Sequence, residues 1–183
     1  MSTIYYTATT LDGFLADPDD SLDWLFRQKQ DAGGPFDYDV FIQDVGALAM
    51  GATTYEWVRT RLADSDEPWP YTQPTWVFTH RDLPATPDAD VRFTQAPVPE
   101  VDAQLTQAAD GRNVWVVGGG GLAADFARAG LLDEIVVSIA PVTLGAGRQL
   151  LAGRFDLELL DTTRNVDFVC ARYRVLGPLT EDR

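Results

Sequence analysis

Short apolar runs alternate with amphipathic stretches along this chain, the pattern of an α/β domain in which strands feed helices. Residues 2–8 read as an opening strand and 9–23 as a long loop. Within 36–48, Phe36, Val40, Phe41, Val45 and Leu48 recur at helical spacing, and 47–50 reads as a short buried strand ended by Gly51. Thr53 or Thr54 is placed to cap a helix running to Leu62. A loop rich in Asp, Pro and Trp covers 63–73, strands follow at 75–79 and 91–94, and a helix lies near 98–109. The compact apolar strand 113–117 feeds four successive glycines and a helix reaching Ala129, and 134–140 is a further strand. Two alternating segments, 156–163 and 167–175, join through Arg164-Asn165 as an antiparallel hairpin. In the second of them Val169, Ala171, Tyr173 and Val175 share one face, and Phe168, Cys170, Arg172 and Arg174 the other.

Composition narrows the classes. With 183 residues, 45% of them hydrophobic, the chain can build one real core, expected over 1–177 with 178–183 frayed. It holds no apolar run long enough to span a membrane, and its first residues lack the basic and apolar regions of a secretion signal. A cytoplasmic protein is expected. A single cysteine, Cys170, and a single histidine, His80, exclude an internal disulfide, the usual zinc sites and any triad not built on His80. No metal is expected. The net charge of −14 repels nucleic acid and anionic lipid, so neither is an expected partner. The half-exposed look of Trp69, Tyr71 and the second hairpin strand points instead to apolar surface left for a partner.

Three segments are placed to carry chemistry. In Val114-Trp115-Val116-Val117-Gly118-Gly119-Gly120-Gly121-Leu122, a buried strand runs into a glycine turn and a helix start. Outward backbone N–H groups and the positive helix end there suit a phosphate, although the same turn serves equally as a ligand-free connection. Leu11-Asp12-Gly13-Phe14-Leu15-Ala16 follows the first strand and reads either as a hairpin turn or as an active-site loop. Met50-Gly51-Ala52-Thr53-Thr54 is a second strand-to-helix junction, read either as capping or as a second anion site.

In this order and spacing the three features resemble the dihydrofolate reductase superfamily and, within it, the riboflavin-biosynthesis reductase domain, the RibD C-terminal-like group. The matching segments are TLDGFLA (10–16), LAMGATTYEW (48–57) and VWVVGGGGLAADFARAGLLDEIVVSIAPVTLGAGRQLL (114–151). The resemblance implies a three-layer α/β fold, with a central, mostly parallel mixed sheet and a C-terminal antiparallel hairpin. It implies NADPH at the carboxyl ends of the strands, and an activity like that of 5-amino-6-(5-phosphoribosylamino)uracil reductase. Ala8, Leu15 and Ala16 then lie against the nicotinamide. Gly51, Thr53 and Thr54 meet the diphosphate at one helix start, and Gly118, Gly119, Gly120, Gly121 and Leu122 meet it at the other. The Gly118–Gly119 peptide is expected to be cis. Relatives in this group commonly pair, so a homodimer is expected.

Several positions depart from the family pattern. The usual arginine after the middle glycine is Ala52, which leaves Thr79, His80 and Arg81 to compensate at the adenosine 2′-phosphate; His80 and Arg81 also read as a plain strand end. The arginine with which folate enzymes hold the substrate's glutamate is Gln73, and the pterin-binding acid falls near Pro35. These departures favour a riboflavin-type reductase over dihydrofolate reductase itself, with a nucleotide binder lacking turnover as the remaining reading. The zinc deaminase domain of the full riboflavin protein needs more histidine and cysteine than this chain has. Asp12, or Asp37 or Asp39 on the following helix, is the candidate acid. A carboxyl among Trp24, Phe14 and Leu11 would be desolvated and raised toward neutral pKa. Asp12 also reads as a turn residue.

Overall fold

The structure, a computed structural model, describes residues 1–65 and 67–179. Along the chain run β1 (Thr3–Thr10), β2 (Phe14–Ala16), α1 (Asp23–Phe26), α2 (Tyr38–Phe41) with a following 3-10 turn (Ile42–Asp44), β3 (Val45–Gly51) and α3 (Ala52–Ser65). Then come β4 (Thr75–Phe78), β5 (Val91–Thr94), α4 (Val98–Ala109), β6 (Asn113–Gly118), α5 (Gly120–Arg128), β7 (Glu134–Ala140), β8 (Arg148–Gln149), β9 (Phe155–Asn165) and β10 (Phe168–Pro178). Eight strands form one sheet in the order β5-β4-β3-β6-β1-β7-β10-β9, and β2 and β8 form a separate pair. Every pairing from β5 to β7 is parallel; β10 runs antiparallel to β7 and to β9.

The inner strands are covered on both faces, which is why they read as unbroken apolar runs rather than alternating ones. One face packs Tyr5, Ala47, Ala49 and Val116 against Val101 and Leu105 of α4 and Phe126 of α5. The other packs Leu48, Met50 and Trp115 against Tyr55 of α3, and further along Ala140 and Cys170 against Trp24 of α1. The result is the expected three-layer α/β arrangement. Among the described residues, no helix is long and apolar enough to cross a membrane.

Several local expectations are corrected. The helix expected over 36–48 is one turn, because Val45 and Leu48 belong to the buried central strand β3 and the helical spacing across them is accidental. No loop separates β3 from α3, so Thr53 and Thr54 lie in the first helical turn instead of before it. The hairpin turns at Val166-Asp167, not Arg164-Asn165. Asn165 is buried, its Oδ1 accepting from Asp31 N at 2.8 Å and its Nδ2 donating to Asp31 O at 3.3 Å, which holds it in the strand.

On β10 the alternation is as read, yet its ends differ. Phe168 and Cys170 are fully covered by the Trp24 cluster, while Val169 stands half in water. Trp69 and Tyr71, expected to face a partner, pack edge to face with each other and onward to Tyr55 and Trp115. β2, α1 and β8 are too short to leave a periodic signal. Of the tail expected to fray, Pro178 still pairs with Phe155, and 180–183 lies outside the described residues.

Candidate active site at two strand-to-helix turns

β3 and β6 are neighbours, and each passes directly into a helix: β3 through Gly51 into α3, β6 through Gly118 and Gly119 into α5. The first-turn N–H groups of a helix have no acceptor within it and carry the positive end of its dipole. Here two such ends lie side by side at the carboxyl edge of the sheet. The Gly118–Gly119 peptide is cis. A β-carbon placed on Gly119 or Gly121 would meet nothing within 4 Å, and one on Gly51 only Gly119 N at 3.7 Å and Gly118 O at 3.8 Å. The floor is therefore bare backbone facing open space, a surface that a diphosphate can approach closely.

This floor belongs to a cavity of about 910 Å³. Ala8, Leu15, Ala16, Gly51, Thr53, Thr54, Gly118, Gly119, Gly120, Gly121 and Leu122 all line it, so the structure brings these sequence-derived candidates together. The far wall was foreseen only at Phe14, in the candidate active-site loop. Phe14 on β2, Leu22 and Leu25 around α1 and Trp57 on α3 make an apolar side, and residues 145–149 close it. The Gly145-Ala146-Gly147 motif carried a signal for this segment without revealing its place. Gly147 has φ +148°, and a β-carbon there would run into the Ala16 carbonyl, so only glycine lets β8 press against β2. Leu22 and Leu25 sit in no motif and gave no signal, and Trp57, although it ends the LAMGATTYEW segment, carried no sign that it faces the site.

Asp20 and Arg148 are the charged side chains among the lining residues, and they are bound to each other, Arg148 Nε donating to Oδ1 at 2.6 Å and Nη2 to Oδ2 at 2.9 Å. The guanidinium holds the Asp20 carboxyl below its usual range.

A second cavity of about 760 Å³ shares Gly51, Gly121 and Leu122 with the first and opens over the ends of β4 and β5, where Thr79, His80, Thr94 and Gln95 line it. The two cavities thus meet at the glycine floor. Arg81 lines neither. Its backbone N–H donates to Thr79 Oγ1 at 2.9 Å, and its guanidinium turns to Glu56 on α3, with Nη2 2.7 Å from the carboxylate.

The expected acids lie elsewhere. Asp12 is exposed and accepts from Thr10 Oγ1 at 2.6 Å, Gly145 N at 2.7 Å and Leu144 N at 3.0 Å. Those donors lower its pKa, the Thr10 hydroxyl most, so the raised value expected from an apolar setting does not occur. Asp37 caps α2, accepting from Gly33 N at 2.8 Å and Val40 N at 3.1 Å, and is lowered for the same reason. Asp39 is exposed on the same turn. Trp24 is buried beneath the site, its Nε1 donating to the Leu15 carbonyl at 3.1 Å; it holds β2 in place and does not line the cavity.

Comparison with known proteins gives a consistent set. Residues 58–171 match the RibD C-terminal domain family. The uncharacterized protein YwjB of Bacillus subtilis is 34% identical over 152 residues, covering 79% of each chain. Among solved structures, a candidate riboflavin biosynthesis protein from Shewanella sp. PV-4 superposes with TM-score 0.77 at 25% identity, over 96% of this chain and 99% of that one. The deaminase/5-amino-6-(5-phosphoribosylamino)uracil reductase of Thermotoga maritima matches at TM-score 0.67 and 15% identity, with 95% of this chain on 56% of that one. A likeness of fold extends to the dihydrofolate reductase of Enterococcus faecalis, solved with NADP(H), at TM-score 0.60 and 14% identity over 96% of this chain and 97% of that one.

Proposed function

Because the chain belongs to the RibD C-terminal domain family, we propose that it is a cytoplasmic, NADPH-dependent reductase that transfers hydride to a C=N bond of a pyrimidine- or pterin-like substrate. The observation that carries this reading is the bare glycine floor at two adjacent helix starts, where Gly119 and Gly121 face open space at the junction of two cavities. The residues fit a dinucleotide. Gly51, Thr53, Thr54 and Gly118 to Leu122 hold the diphosphate, Ala8, Leu15 and Ala16 flank the nicotinamide, and the cavity over Thr79 and His80 takes the adenosine half.

When bound, the cofactor supplies the hydride. The chain's own part is to orient and to exclude water. Leu22, Leu25 and Trp57 offer an apolar wall on which a flat heterocycle packs beside Ala8 and Leu15. Asp20 is the acid among the described residues that line the main cavity, and the Arg148 guanidinium lowers its pKa, which makes it a poor proton donor near neutral pH. Asp12 and Asp37 brace the surrounding loops.

The reading is tested by titrating the protein with NADPH and then following NADPH oxidation with the aminouracil ribotide and with dihydropterins, dihydrofolate included. Saturable binding with turnover of the ribotide or a pterin is expected. Absence of binding overturns the cofactor assignment, and binding without turnover of either class overturns the reductase assignment.

The homodimer remains part of the proposal. On the face of the hairpin that carries Ala171, Tyr173 and Val175, the side chains of Leu157, Leu159 and Val169 stay exposed, and this is the surface proposed to pair. Sedimentation in low and in high salt checks it, since the −14 charge opposes association only where it is unscreened. A monomer mass in both conditions overturns it.

A further inference from the structure

The second cavity holds an unusual balance of charge at the end of β4. The guanidinium that lines it, that of Arg128, is committed to Asp125, at 2.7 Å, and to the Ala152 carbonyl. Arg81, next in sequence to His80, is tethered at its backbone by Thr79, whose side chain belongs to the cavity wall. Its side chain is drawn across to Glu56, one turn along α3 from Ala52, where it makes contacts of 2.7 Å and 3.2 Å. Both partners are half exposed, 53% and 40%, so water screens the pair and exchanging one carboxylate for another anion costs little.

We propose that Glu56 sets the cofactor preference of this protein, by competing with the 2′-phosphate of NADPH for Arg81. The proposal rests on the cofactor reading above and deepens it. A phosphate on the adenosine ribose gains Arg81 only by displacing Glu56, and the ion pair between the two is lost in the exchange. NADH meets neither the gain nor the penalty. With Ala52 at the helix start contributing no charge, the preference for NADPH rests on Arg81, and Glu56 limits how far it goes.

The test is equilibrium binding of NADPH and NADH, and of 2′,5′-ADP and 5′-ADP as probes without a nicotinamide, to the wild type, Glu56→Gln, Arg81→Ala and the double variant. Glu56→Gln is expected to tighten NADPH and 2′,5′-ADP by about two- to fivefold, the size of an exposed ion pair, and to leave NADH and 5′-ADP unchanged. Arg81→Ala is expected to abolish that gain, so that the double variant binds as Arg81→Ala does. An unmoved NADPH-to-NADH ratio in Glu56→Gln, or an equal gain for both nucleotides, overturns the proposal while leaving the cofactor reading intact. A gain that survives Arg81→Ala also overturns it, because Glu56 then acts on the phosphate by repulsion alone. Failure of every nucleotide to bind the wild type removes the cofactor reading itself, and the proposal with it.

Discussion

On one side of the main cavity, β3 and β6 deliver Gly51, Gly118 and Gly119 from the middle of a parallel sheet, with every strand neighbour in place. On the other side, β2, α1 and β8 contain only three, four and two residues. The first wall is fixed by core packing and main-chain ladders. The second is fixed by side chains that stand in for a ladder: Asp12 on Leu144 and Gly145, Asp17 on Asp19 and Ser21, Asp20 on Arg148, Asp37 on Gly33 and Val40, Asp167 on Lys29. The acids of this region thus have structural employment. A carboxylate that accepts two backbone N–H groups is a poor proton donor, and the features that made Asp12 and Asp37 look catalytic are those that make them good braces.

The comparison breaks most visibly at α5, where adjacent glycines face opposite ways. A β-carbon on Gly120 would run into the Gln149 and Leu150 carbonyls, rigid backbone of the opposing wall, whereas one on Gly119 meets only open cavity. Gly120→Val is therefore expected to lower folding stability by about 3 kcal/mol or more, read as a fall in denaturation midpoint, since neither carbonyl can yield without moving β8. A midpoint like the wild type's would mean that the two walls are not in contact. Gly119→Val is expected to leave that midpoint in place and to weaken NADPH about tenfold or more, by crowding the diphosphate and covering the helix start. Equal affinity would separate the glycine floor from nucleotide binding.

The same division explains what could be read in the sequence. The glycine wall was legible because each of its parts is local: an apolar strand, glycines and a helix start within a dozen residues, repeated at two places. The boundaries of β4, β5, α4 and β7 were legible for the same reason. The opposite wall is assembled from bonds that span the chain, such as Asp12 to Gly145 and Asp20 to Arg148, and its strands are too short for alternation to register. Leu22, Leu25 and Trp57 become a surface only when α1 is laid against α3. Arg81 could be named as a phosphate ligand but its diversion to Glu56 could not, because no local pattern relates positions 56 and 81.

Trp24 sharpens the comparison at smaller scale. It is nearly fully buried, and its indole N–H holds the Leu15 carbonyl, a single bond between the Ala140–Phe168–Cys170 cluster and β2. Trp24→Phe keeps most of the packing and removes the donor, so a loss of about 1 kcal/mol is expected, with a larger rise in KM for NADPH than fall in kcat. A pure kcat effect would place Trp24 at the reacting atoms instead.

The smallest expected effect is the one that acid produces on the rim alone. Asp12, Asp20 and Asp37 all have folded-state pKa values below the ordinary carboxylate range, through the Thr10 hydroxyl, the Arg148 guanidinium and the Gly33 N–H respectively as leading causes. A group depressed on folding stabilises the folded state in full above its unfolded pKa, near 3.9 for aspartate, and gives that stabilisation up as pH falls through the lower folded value. The sheet that carries Gly51 and Gly118 holds no such group in its central strands β3 and β6. Acidification below about pH 4 is therefore expected to free the Gly145 and Val40 amides while Val116 and Met50 stay protected, as read by amide exchange in NMR spectra. In Asp12→Asn the Gly145 amide should already exchange faster at neutral pH and lose its dependence on acid, while Val40, braced by Asp37, keeps its own. Because Asp12 is a brace, the pH profile of NADPH oxidation should retain its shape in that variant. Loss of an acid-dependent limb from the profile would return Asp12 to the chemistry, and release of sheet and rim amides at the same pH would show that the two walls stand or fall as one.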